Sequence, residues 1–141
     1  MTVLRKAFKQ NGSMSTTGNA WATIYTFEEA GTLVHTKIRG AIAALASLSG
    51  ATQGIYALAI EREGEDLPDL DSVGGEEVET LEDLLYSHIV NFGDETQVIQ
   101  LNEDIKAMRK VRPGDKLVHS RHASANSSLL YAAVINIWQQ V

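Results

Sequence analysis

The chain contains no cysteine, which excludes disulfides, thiolate zinc sites and a cysteine nucleophile, and leaves the redox compartment open. It also lacks any apolar run near the ~20 residues that a membrane-spanning helix requires. The longest candidate, Ile42–Leu48, is far too short. The opening Met1–Lys6 gives way to polar residues, so a secretory leader is not expected. Aromatic residues make up only 6% of the chain, few for a surface that stacks sugars. None of the patterns GxSxG, HExxH, Walker A or GxGxxG occurs, and no enzyme class is indicated.

What is present suits one folded domain. The 141 residues are 44% hydrophobic and 21% charged, enough to enclose a core without covalent staples and outside the disordered range. The charge is strongly segregated. Residues 61–104 hold fifteen acids and one base, Arg62, whereas residues 1–60 net +3 and residues 105–141 net +5 within a total of -6. An acidic middle between two basic ends lets unlike patches of two copies attract, and lets one basic surface face a polyanion.

The patterning reads as strands and turns. Residues 1–19 are polar and small, with Arg5, Lys6 and Lys9 as the only charges, and they read as a flexible basic arm ahead of a domain over 20–141. Trp21, Thr23, Tyr25 and Phe27 alternate with Ala22, Ile24 and Thr26, which is strand chemistry. Leu33 to Ile38 alternates again, and Gly40 reads as a bend or bulge. Ile42–Leu48 is helix-or-strand by composition and is assigned to strand. Ile55–Ile60 is continuously apolar, as in a strand covered on both faces. The acidic stretch 61–79 is a long loop, and Thr80-Leu81-Glu82-Asp83 resembles a capping box for one helical turn. Leu84 to Phe92, Thr96 to Leu101, Lys106 to Val111 and Lys116 to His122 follow as strands. Arg112-Pro113-Gly114-Asp115 has type II turn chemistry and predicts a hairpin. In Leu129–Val141, Tyr131, Ala133, Ile135 and Ile137 share one face, and Val134, Asn136 and Trp138 the other. The reading is an all-β antiparallel sandwich of about eight strands with at most one short helix.

Candidate chemistry is sparse. His119 and His122, three apart, fall on opposite faces of a strand and are expected to be exposed rather than metal-binding. Asp69, Asp71 and Gly74 echo a calcium loop, but Val73 and Thr80 stand where ligands would be needed. A looser calcium site of loop carboxylates between subunits is the one cofactor left open. Glu76, Glu77, Glu79 and Glu82 read as a solvated face. The two tryptophans sit within strand patterns and are expected in the core. The bases fall into the terminal group Arg5, Lys6 and Lys9, suited to phosphate neutralisation, and a group around the Pro113-Gly114 turn.

One resemblance emerges from these segments. Thr36-Lys37-Ile38-Arg39-Gly40-Ala41-Ile42, the strand Gly54-Ile55-Tyr56-Ala57-Leu58-Ala59-Ile60, an acidic Pro-containing loop and the later Glu103-Asp104-Ile105-Lys106-Ala107-Met108-Arg109-Lys110 together resemble the single jelly-roll capsid proteins of small icosahedral viruses, of the environmental, CRESS-DNA-like kind. The resemblance spans roughly residues 30 to 141. Many such proteins begin with a long Arg-rich arm, where this chain has only Arg5, Lys6 and Lys9. It implies a non-enzymatic virion protein that self-assembles into a shell around a genome, with Arg5, Lys6 and Lys9 toward nucleic acid. Arg109, Lys110 and Arg112 would then meet the acidic loop, including Asp69 and Asp71, of a neighbouring copy. The alternative is a β-sandwich binding module for a carbohydrate or peptide.

Overall fold

The computed structural model describes residues 2–13, 21–44, 52–68, 81–92, 97–123 and 129–141. Nine strands and no helix occur among them: β1 (Val3–Ser13), β2 (Trp21–Thr26), β3 (Gly31–Ala44), β4 (Thr52–Glu61), β5 (Leu84–Phe92), β6 (Gln97–Ile105), β7 (Arg109–Val111), β8 (Lys116–Ala123) and β9 (Leu129–Gln140). One sheet, called A here, runs β1-β9-β3-β6, with β7 continuing the β6 edge of β3; the other, sheet B, runs β2-β8-β4-β5. All pairings are antiparallel.

The strand order follows from a nested hairpin. β4 pairs β5, β3 pairs β6 and β7, β2 pairs β8, and β1 pairs β9. Wrapping that long hairpin then adds the β3–β9 and β4–β8 pairs. This is the jelly roll, a double Greek key in which most links cross from one sheet to the other.

Alternation puts the core between the sheets. Ile38, Ile42, Tyr131, Ile135 and Ile137 from sheet A meet Tyr56, Leu58, Ile60 and Leu117 from sheet B, all buried. Each such aliphatic side chain stabilises the fold by roughly 1.5–3 kcal/mol on burial. β9 divides its residues as its sequence alternation requires. β4 is sealed on both faces, because Ile55 and Ala57 pack under Trp21, Leu84 and Ile89 on the far side of sheet B. The connection from β4 to β5 is the longest between strands. Within it, Trp21 Nε1 donates to the Pro68 carbonyl at 3.0 Å, tying that link to the outside of sheet B.

Several expectations are corrected. Residues 3–13 are not a flexible arm but the edge strand of sheet A, paired with β9 from Val3↔Gln140 to Ser13↔Leu130. Phe8 turns inward to stack on Tyr25 of the other sheet, ring centroids 5.3 Å apart. The jelly roll therefore starts before residue 20; residues 14–20 lie outside the description. Gly40 is no bend, since β3 runs straight through it. A Cβ there would lie 2.1 Å from the Ala132 carbonyl oxygen, so glycine permits the close approach of β9. Bulges fall instead at Leu85, Val34 and Ile24. The last flips the phase of β2, leaving Trp21 outside sheet B and Tyr25 inside. Glu82 and Asp83 form a turn, not a helix. The Pro113-Gly114 turn has the expected geometry, with Gly114 at φ 95 and Asp115 N–H bonded to the Arg112 carbonyl at 3.1 Å, yet it joins strands of different sheets and makes no hairpin.

The folded N-terminus has a measurable consequence. Phe8→Ala should lower stability by about 2 kcal/mol, below the 3–5 of a fully enclosed Phe, in urea denaturation of the purified chain. A truly flexible arm would leave the unfolding midpoint unchanged.

Candidate functional site

Three polar constellations stand out, and the first is a clasp at one end of the sandwich. Arg62, just past β4, lays its guanidinium flat against Asp83, Nε to Oδ2 at 3.0 Å and Nη2 to Oδ1 at 3.1 Å. Its Nη1 donates to Asp115 Oδ2 at 2.8 Å and to the Lys110 carbonyl at 2.6 Å. Asp115 is 1% exposed and also accepts the backbone N–H groups of Glu63 and Arg112, both at 3.0 Å. Burial pushes its carboxyl up, but those two N–H donors and Arg62 outweigh burial and hold it below the usual carboxylate range. The backbone joins in: Phe27 N–H donates to the Asp115 carbonyl and Gly114 N–H to that of Phe27.

The second is a ring cluster inside the sandwich. His119 is wholly buried, which corrects the expected exposed strand position; inward alternation on β8 places it there. Its Nδ1 lies 3.1 Å from the Tyr56 hydroxyl, and its ring meets Tyr56 and Tyr131 edge-on. Arg121 donates to the Tyr131 hydroxyl at 2.6 Å. Burial, assisted by Arg121, pulls the His119 pKa down to about 4, so the ring is neutral at pH 7. Burial likewise pushes the Tyr56 phenol up. No group of three or more metal-ligating side chains occurs among the described residues.

The third is the outer face of sheet A. Register aligns Arg5 with Trp138 and His35 in one row, Ala7 with Asn136, Lys37 and Asp104 in the next, and Lys9 with Val134, Arg39 and Asn102 in a third. Trp138 is thus not in the core but on this face. His35 stacks on it at 4.5 Å and Arg5 lies over it from the other side at 5.4 Å. The three expected nucleic-acid residues are not brought together: Arg5 and Lys9 point outward, whereas Lys6 points inward and caps the Tyr25 ring at 5.2 Å. Lys37 and Arg39 are what sequence reasoning missed. Their i, i+2 spacing marks one strand face, but only the pairing of β9 with both neighbours sets them beside β1.

Of the expected subunit contacts, Lys110 and Arg112 are exposed, whereas Arg109 sits half-buried with Nε 3.9 Å from Asp83 of its own chain. Some charge complementarity between the acidic middle and the basic C-terminal part is therefore satisfied internally. Asp69 and Asp71 lie outside the described residues.

No family model matches the chain, and no curated protein matches it. Among solved structures, the chain is similar to one from "Structure of infectious bursal disease virus Gx strain", with TM-score 0.38 and 10% identity over 97% of this chain and 32% of that one. It is similar to the Gt strain at TM-score 0.35 and 10% identity, covering 97% and 32%. For "Crystal structure of infectious bursal disease virus VP2 subviral particle" the values are TM-score 0.35 and 9% identity, covering 98% and 32%. The chain spans about a third of the length of these solved chains. At those TM-scores the likeness adds nothing to the strand order already described.

Two stability predictions arise here. Arg62→Met leaves Asp115 buried without its cation and should cost roughly 3–5 kcal/mol in urea denaturation; a loss within about 0.5 kcal/mol, ordinary for a surface change, would show the clasp to be dispensable. His119 makes the fold acid-sensitive. Its folded pKa of about 4 lies below the unfolded value near 6.5, so the unfolded chain takes the proton first. Stability should fall by up to about 1.4 kcal/mol per pH unit between those values, and His119→Gln should flatten that slope. Asp115 acts in a lower window, its contribution present above the unfolded pKa of about 3.9 and lost as pH falls through its depressed folded value. Equal slopes for wild type and His119→Gln between pH 6.5 and 4.5 would assign the acid sensitivity elsewhere.

Proposed function

We propose that this chain is a capsid subunit that assembles with its own copies into a closed icosahedral shell around a viral genome, and so resides in the virion. The observation that carries the reading is the jelly-roll strand order, β1-β9-β3-β6 over β2-β8-β4-β5, together with the sequence resemblance over residues 30 to 141. The space between the two sheets is filled, chiefly by apolar side chains with the His119–Tyr56–Tyr131 cluster among them, so the rigid outer faces and edges are what the molecule offers to partners. The carbohydrate-binding alternative asks for an aromatic face open to a ligand, and Trp138 is flanked by His35 on one side and Arg5 on the other.

Assembly needs lateral contacts that repeat. The acidic segment 61–104 of one copy facing the exposed Lys110 and Arg112 of the next is a heterologous contact of the kind that closes into rings. Each exposed pair adds only ~0–1 kcal/mol, so charge sets orientation while apolar contact supplies most of the affinity. The acidic loop, with Asp69 and Asp71 in its sequence, is the place where calcium would join two copies.

Size-exclusion chromatography with negative-stain microscopy tests the proposal. Closed particles are expected at low salt, with yield declining as ionic strength nears 1 M, where the Debye length is about 3 Å. Arg112→Glu should reduce particle yield several-fold, whereas the same charge change at Lys106, exposed on the β6–β7 link, should not. A monomer at every salt concentration would overturn the reading.

A further inference from the structure

The outer face of sheet A is basic on an acidic protein. Arg5, Lys9, Lys37 and Arg39 project from it against one acid, Asp104, while the chain as a whole carries -6. Lys37 lies 3.9 Å from Asp104 and Arg5 bonds Asn136 at 3.4 Å. Lys9 and Arg39 are exposed and form no ion pair among the described residues. Between them the central strand carries small side chains, Ala132 and Val134, and the result is a groove of about 250 Å³ floored by β9 with Lys9 and Arg39 on its rims. A second groove of about 420 Å³, sharing Asn11 and Ala132 with the first, continues along β9 past Ala41 and Leu130. The geometry is a trough: long cationic side chains on the flanking strands β1 and β3, short apolar ones on the strand between.

We infer that this trough binds a single-stranded nucleic acid by its phosphates, with Lys9 and Arg39 as the principal contacts and Arg5 and Lys37 beside them. Charge complementarity selects a polyanion. By strand geometry the four cations cover roughly 14 Å along the strands and 10 Å across, a patch matched to a few consecutive nucleotides. Recognition is independent of sequence. Trp138 is already flanked by His35 and Arg5, so it offers no free ring face for base stacking. The floor between Lys9 and Arg39 is Ala132 and Val134, which leaves phosphate contact dominant, with the Asn11 amide turned to the grooves. The inference deepens the shell reading and rests on it for the source of the polyanion, but the surface itself is a property of the unassembled chain. The genome contact thus moves from a floppy terminus to a rigid sheet face, and Lys6, on the opposite side of β1, drops out of it.

The test is fluorescence anisotropy of a labelled mixed-sequence 20-nucleotide single strand, titrated with unassembled protein verified by light scattering. With four phosphates neutralised, affinity should fall about 50-fold between 50 and 200 mM salt. Lys9→Gln with Arg39→Gln should weaken binding at least tenfold at 50 mM salt and about halve the salt slope. Lys6→Gln, on the opposite face of the same strand, should stay within twofold. Circular dichroism of each variant confirms that the fold is intact. Equal losses for Lys6→Gln and the double variant would overturn the assignment of the face. So would absence of wild-type binding at 50 mM salt. A peptide of residues 72–83, the acidic stretch of this chain, is the competitor: if it displaces the oligonucleotide at equal concentration, the trough is a docking site for a second copy and not for nucleic acid. Particle formation is read separately, so failure here leaves the assembly result standing on its own.

Discussion

A carboxylate removed from water at the point where the chain changes sheets is the constraint that organises this sandwich. Asp115 sits at the β7–β8 corner and is 1% exposed, so it is tolerable only as a fully hydrogen-bonded, paired anion. The Arg112 N–H of its own turn is one partner; the others come from elsewhere in the chain: Arg62 after β4, the Glu63 backbone and, through Arg62, Asp83 ahead of β5. Phe27 after β2 is hung on the same corner by its backbone. Three separate connections are therefore pinned to one another by charges that cannot be satisfied apart. The apolar layer supplies the bulk of the stabilisation; the clasp fixes which loop lies against which.

The same economy governs the N-terminal strand. A jelly roll is closed by pairing its first and last strands, and β1 does so by binding β9 along its length while Phe8 reaches across to Tyr25. Once β1 is a strand, its bases cannot act as a cluster. Alternation sends Arg5 and Lys9 to the solvent side and Lys6 to the inside, where its stem packs and its charge lies over an aromatic ring. The outward pair gains Lys37 and Arg39 as neighbours from a strand more than twenty residues away in sequence. A rigid basic face is the outcome, in place of a mobile basic tail.

Much of the architecture was legible because it rests on local pattern. Ile55–Ile60 reads as a doubly covered strand and is one; the two faces of β9 are those that its alternation assigns; Pro113-Gly114 dictates its turn. The errors share a cause as well. β1 alternates Leu4, Lys6, Phe8, Gln10 and Gly12 inward, a set too polar to register as a core face, because at a sheet edge long polar stems do the covering. One extra residue at Ile24 reverses the phase of β2, so Trp21 and Tyr25, which look alike in the sequence, end on opposite sides. His119 looks like a surface residue until Tyr56 and Tyr131 are placed around it.

The sequence by itself determined the composition of the layers: an all-β chain, its apolar stripes, its turns, and an acidic middle set between basic ends. Those follow from interactions within a few residues, where side-chain period and turn chemistry suffice. Only the tertiary structure decided that Arg62, the lone base of the acidic segment, is the partner of Asp115, the lone acid of the basic one, and that Lys9 and Arg39 flank a single trough. Both depend on which strands become neighbours, and that choice is made by simultaneous burial of two whole sheet faces, an energy that no local stretch of sequence contains.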